Sequence, residues 1–111
     1  MDNKTITTVE ELLAKQKKKN KKSDLRKIRR AFEYADKMHQ DQVRLSGEKY
    51  IIHPLNVAYI LADLGLDDDV ICAALLHDVI EDTTGTYEEI SNLFSEQVAI
   101  MVEGVTKLRK A

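Results

Sequence analysis

An all-α bundle of five or six helices is the fold that this sequence predicts, on three observations. Apolar residues recur at spacings of three and four along most of the chain, helix-capping patterns stand just ahead of those stretches, and no segment reads as a convincing strand. Hydrophobic residues make up 43% and charged residues 32% of the 111 positions, with one proline, the profile of a folded helical domain rather than a disordered chain. One small core is the limit at this length, with no room for a second catalytic unit.

Thr8 and Glu11 form a capping-box pattern around Val9, Leu12 and Leu13, so a first helix runs to about residue 19 and ends in lysines that complement its C-terminal dipole. Ser23 is the expected N-cap of a longer helix, whose Leu25, Ile28, Ala31, Phe32, Ala35 and Met38 share one stripe with His39 at its edge. From Gln40 to Tyr50 the periodicity stops, and DQVRLSGEKY reads as a loop suited to ligand contacts. At His53-Pro54, proline in the first helical position leaves His53 as the cap of a helix that continues through Leu64 and ends at Gly65. Asp67, Asp68 and Asp69 suit the positive start of the next helix, which is apolar nearly all round from Val70 to Ile80 and therefore belongs in the middle of the domain. A second capping box, Thr86 with Glu89, opens a short helix ending near Phe94, and Ser95 caps a last one through Val105.

No stretch reaches the roughly 18 apolar residues of a membrane span, and MDNKTITTVEELL lacks the layout of a signal peptide, so no membrane association and a cytoplasmic location are expected. The net charge of −2 gives no global reason for nucleic-acid binding, and the run Lys15, Lys17, Lys18, Lys19, Lys21 and Lys22, without interleaved aromatics, reads as a solvated helix end; no nucleic-acid partner is expected. Cys72, inside VICAALL, reads as a small core residue.

Chemistry concentrates in HDVIED. His77 and Asp78 are adjacent, about 100° apart around a helix, so both reach one point only at the lip of the core. Imidazole and carboxylate together suit divalent ions such as manganese, iron or zinc, and His53 offers a third ligand. Glu81 and Asp82 follow one turn on, where they can position or deprotonate a water. Charged groups against so apolar a helix are costly unless paired or metal-bound, yet a purely structural reading, with Glu81 and Asp82 solvated past the helix end, stands beside the metal site.

The strings RLSGEKY, YIIHPLNVAYILADLGLDDDVICAALLHDVIEDT and TYEEISNLFSEQVAIMVEGVTKL resemble the N-terminal HD hydrolase domain of the RelA/SpoT alarmone enzymes, from about Leu25 to Leu108. The resemblance implies an HD-domain helical bundle, with residues 1–22 as an N-terminal helix and lysine-rich connector and residues 23–111 as the first part of the HD domain. It implies that His53, His77 and Asp78 hold a divalent metal, manganese, that Glu81 and Asp82 are the catalytic acidic pair, that Arg44 stacks on a guanine base and that Ser46 lines the nucleotide pocket. The implied reaction removes the 3′-pyrophosphate of (p)ppGpp to give GDP or GTP.

Two departures qualify this expectation. Leu45 stands where the family usually carries lysine, which removes a positive charge beside the substrate phosphates. The family's domain also continues into helices with a further aspartate ligand, in a segment resembling LADRLHN that this sequence lacks; the bundle is therefore expected to be incomplete at its C-terminus, with a weakened metal site. Apolar surface around Leu75 and Val102 would then be uncovered, a route to homo-oligomers. Three alternatives follow: a piece of a larger hydrolase with little activity alone, a small hydrolase completed by dimerisation, or a non-catalytic module that binds a nucleotide or protein partner.

Overall fold

Residues 5–110 are described by a computed structural model, and the all-α expectation holds. The helices are α1 (Val9–Lys19), α2 (Leu25–Met38), α3 (Ile52–Asp63), α4 (Asp68–Leu76), α5 (Val79–Asp82), α6 (Tyr87–Leu93) and α7 (Glu96–Lys110). No strand occurs among the described residues; Val43 and Lys49 form an isolated antiparallel bridge.

The most apolar helix is the central one. α4 packs against α2, α3 and α7, and its residues Ile71 through Leu76 are all buried. Cys72 is among them, and burial pushes its thiol up to about 12, so it stays a neutral core side chain. α1 lies across α3 and α2, with Leu12 and Leu13 buried. The chain ahead of α1 is clamped to α3 by one side chain: Asn56 accepts from the Ile6 N–H at 2.7 Å and donates to the Ile6 carbonyl at 2.9 Å.

The Thr8–Glu11 capping box forms as expected, and Asp67 caps α4 through the Val70 N–H. Gly65, at φ +83°, closes α3: its N–H bonds Ala62 O and the Leu66 N–H bonds Leu61 O, a Schellman pattern that needs a left-handed residue. Ser95 caps α7 through the Val98 N–H. At Thr86 half of the expected box is seen, with the Thr86 hydroxyl accepting from the Glu89 N–H. The Glu89 carboxylate accepts the Tyr34 hydroxyl.

Three boundaries differ from the sequence expectation, each for a local reason. Asp24, not Ser23, caps α2, because the Ser23 hydroxyl is drawn to Asp68 across the fold. α3 begins at Ile52, which puts His53 and Pro54 inside its first turn. Proline is tolerated there because first-turn N–H groups have no intrahelical partner. The single helix expected from Val70 to Ile80 is broken at His77-Asp78. The His77 imidazole donates to the Ala74 carbonyl at 2.6 Å, competing for the acceptor that the Asp78 N–H would use in a continuing helix. α5 follows as one separate turn.

Candidate metal centre

The break between α4 and α5 turns His77 and Asp78 toward one point. One ligand atom from each of His53, His77 and Asp78 lies within 4.8 Å of the others, and this is the one such group of three or more found among the described residues. The two imidazoles meet edge-on, with ring centroids 5.6 Å apart and planes at 66°. A carbonyl can only accept, so the 2.6 Å contact with Ala74 fixes the proton of His77 on Nδ1 and leaves Nε2 as the electron-pair donor, 3.2 Å from Asp78 Oδ2. Asp78 is 3% exposed, so its orientation is set by protein partners rather than water.

This donor set fits a divalent ion. Two imidazoles and a carboxylate converge from α3 and from the α4–α5 break, and the second nitrogen of His77 is already held by a backbone oxygen, the arrangement that orients metal-ligating histidines.

A cleft of about 1000 Å³ opens beside the cluster, lined by His53, His77 and Asp78 together with Arg44, Leu45 and Ser46. The segment expected as a loop is a small hairpin. The Gly47 N–H donates to Arg44 O at 2.8 Å and the Arg44 N–H to Glu48 O at 3.0 Å, while Gly47 takes a φ of +86° that favours glycine. Arg44 is exposed and Leu45, at the tip, is fully exposed.

Five of the seven residues singled out in the sequence therefore border one space. Glu81 and Asp82 do not line it. Asp82 is exposed on α5 but connected to the cluster through Tyr50, whose hydroxyl lies 3.3 Å from Asp82 Oδ2 and 2.5 Å from Asp78 Oδ2. Glu81 is half-buried. Sequence reasoning missed Tyr50 and Gln42; the Gln42 amide donates to the Asp82 carbonyl at 2.8 Å. Both lie in the aperiodic stretch, where spacing carries no signal about direction. Burial, and then the hydrogen bond to Asp78, push the Tyr50 phenol well above its ordinary value, so it remains an O–H donor across the physiological range.

The expected opening in the apolar surface is displaced. Leu75 and Val102 are themselves fully buried, whereas Leu61, Ala73, Met101, Val105 and Leu108 line an apolar groove of about 630 Å³ that also reaches His77. α7 turns Val102 inward, and its next turn remains open.

Residues 31–111 match the family described as HD domain. The chain is 60% identical over 83 residues to a guanosine-3′,5′-bis(diphosphate) 3′-pyrophosphohydrolase of Aquifex aeolicus, covering 75% of this chain and 12% of that protein. It is 50% identical over 105 residues to a probable GTP pyrophosphokinase of Mycobacterium leprae, covering 94% of this chain and 13% of that protein. It is 51% identical over 86 residues to the bifunctional (p)ppGpp synthase/hydrolase SpoT of Escherichia coli, covering 78% and 12%. The chain thus spans about an eighth of the length of these relatives.

Proposed function

The chain belongs to the HD domain family, among the RelA/SpoT homologues, and from that premise we propose that it carries the metal centre and part of the nucleotide pocket of a (p)ppGpp 3′-pyrophosphohydrolase. The observation that carries this reading is the convergence of His53, His77 and Asp78 on a cleft that the Arg44–Ser46 turn also lines.

We assign the ion as manganese. When bound, it supplies Lewis acidity to the phosphoryl oxygens and lowers the pKa of the attacking water. The remaining chemistry belongs to the chain. His77 aims Nε2 through its bond to Ala74, and Asp78 brings the negative charge that favours a cation. The Arg44 guanidinium is a flat cation suited to a purine face, and Ser46 offers a hydroxyl to the nucleotide in the same cleft. Glu81 and Asp82 are the acidic pair that takes the proton of the water, with Asp82 linked to Asp78 through Tyr50. Hydrolysis forms a bond from the water oxygen to the phosphorus that adjoins O3′ and breaks the O3′–P bond, so pyrophosphate is released carrying the water oxygen and the departing ribose O3′ takes up a proton. A cytoplasmic location belongs to the same reading, supported by the absence among the described residues of any helix long and apolar enough to cross a membrane.

The test is release of pyrophosphate from ppGpp by the purified chain with and without manganese. Manganese-dependent release that His77→Ala abolishes supports the reading. Loss of ppGpp affinity in Arg44→Ala assigns the hairpin to the nucleotide. Turnover that survives His77→Ala, or an absence of manganese binding, would refute it.

The apolar groove beside His77 favours a second reading, a non-catalytic module that binds nucleotide and self-associates. It predicts ppGpp binding without turnover and a concentration-dependent mass in sedimentation.

A further inference from the structure

Tyr50 joins the two carboxylates of the α4–α5 region to the loop that carries Arg44 and Ser46. Its hydroxyl reaches Asp78 Oδ2 at 2.5 Å and Asp82 Oδ2 at 3.3 Å. One hydrogen cannot serve both equally, so the shorter contact is the bond and Asp82 the secondary acceptor. Behind the hydroxyl, the ring stacks on His39, with centroids 4.5 Å apart and planes at 27°, and meets His53 edge-on at 6.5 Å.

His39 is 2% exposed and held at Nδ1 by the Gln42 side chain at 3.1 Å, while its buried Nε2 has no hydrogen-bond partner among the described residues. The surface that the buried His39 ring offers to the site is its stack on Tyr50. Gln42 completes the frame: its carbonyl accepts the Tyr50 N–H at 3.4 Å and its amide donates to the Asp82 carbonyl. Tyr50 therefore sits between the end of α2, the hairpin carrying Arg44 and Ser46, and the α4–α5 break.

We propose that Tyr50, backed by His39, is a positioning residue for the metal centre, holding the Asp78 carboxylate in the orientation that binds the ion. Asp78 is almost fully buried and its Oδ2 also faces His77 Nε2 at 3.2 Å; without the phenol that oxygen loses a neutral donor at 2.5 Å, and with it the carboxylate's contact with the loop residue Tyr50. Hydrogen-bond partners of metal-ligating carboxylates are worth about 10- to 100-fold in metal affinity, and the contact through a single hydroxyl belongs at the lower end. The inference rests on His53, His77 and Asp78 being metal ligands.

The experiment is titration of the full chain with manganese, followed by the loss of the free-ion electron paramagnetic resonance signal. Tyr50→Phe keeps the ring, the stack and the edge contact and removes one O–H. The expected result is a roughly tenfold rise in the manganese dissociation constant, with the metal-free unfolding midpoint within a few degrees of the parent. His39→Ala, which removes the backing ring, weakens binding in the same direction, and His39→Phe restores it. His77→Ala is the reference for a destroyed centre. Equal manganese affinity in the parent, Tyr50→Phe and His39→Ala overturns the proposal while leaving the metal centre standing. A parent chain that binds no more manganese than His77→Ala overturns the centre itself, and the proposal with it. A fall in affinity matched by a large loss of metal-free stability in Tyr50→Phe marks a structural role and also overturns it.

Discussion

Replacing Asp68 by asparagine is expected to loosen the junction of α1, α2 and α4 by an amount that depends on pH. Asp68 begins α4, and its carboxylate collects donors from two other elements: the Ser23 hydroxyl and the Gln16 amide, the latter at 3.1 Å, on Oδ1, and the Asp24 N–H at 2.7 Å on Oδ2. Either orientation of an asparagine amide turns one of these oxygens into an NH2 facing a donor. A hydrogen bond to a charged group contributes about 1.5–3 kcal/mol, and an anion in the first turn of a helix a few tenths more. Asp68 keeps part of its surface in water, so about 2 kcal/mol at pH 7 is the expected cost, a fall of roughly 8–16 °C in the unfolding midpoint of a domain of this size.

Burial alone would raise the Asp68 carboxyl, but the Ser23 hydroxyl, the Asp24 N–H and the Gln16 amide outweigh it and hold it below its ordinary value. Its contribution is therefore fully present above the unfolded-state value near 3.9, and is lost as pH falls through the depressed native value. Urea unfolding of parent and Asp68→Asn at pH 7, 4 and 3 reads this directly. The stability gap should be widest at pH 7, begin to close below about pH 4 and keep narrowing. A gap independent of pH, or none at pH 7, refutes the reasoning.

Gly85→Ala should destabilise by about 1–3 kcal/mol at constant urea m-value, because a Cβ there would stand 2.4 Å from Val79 Cγ1 and 3.0 Å from the Tyr34 hydroxyl; a variant as stable as the parent would show that α5 yields at no cost. Leu45→Lys adds a cation at the fully exposed hairpin tip, and calorimetry should find ppGpp bound roughly three- to fivefold more tightly at low salt, with the gain fading at high salt. An affinity that does not change would place the phosphates away from the hairpin. Asn56→Ala removes the clamp on Ile6 and leaves a buried N–H and carbonyl unpaired, so about 1–3 kcal/mol should be lost in thermal or urea unfolding with manganese affinity unchanged.

Local signals carried much of the fold. The Thr8 box, the Asp67 cap and the Gly65 terminus are legible because capping is settled by residues within one turn of each other. The apolar circumference of α4 likewise announces a central helix, since no other packing hides all of its faces. Resemblance added roles to His53, His77 and Asp78, and the spacing of HDVIED made a shared point geometrically reasonable.

What only the tertiary structure decided lies wherever a side chain chooses a distant partner over a near one. Ser23 leaves the cap of α2 for Asp68, and Glu89 accepts Tyr34 across the fold. His77 takes the carbonyl that would have continued α4, and that break, rather than helical periodicity, aims His77 and Asp78 together. Tyr50 shows the limit most clearly. It sits in a segment without periodicity, so nothing in the order of residues says where its ring points; its stack on His39 and the contact of its hydroxyl with Asp78 exist only in the folded chain. Sequence by itself determined which residues could carry the chemistry, because residue type and local spacing are sequence properties. Their convergence depends on contacts between segments far apart in the chain, which the folded core alone specifies.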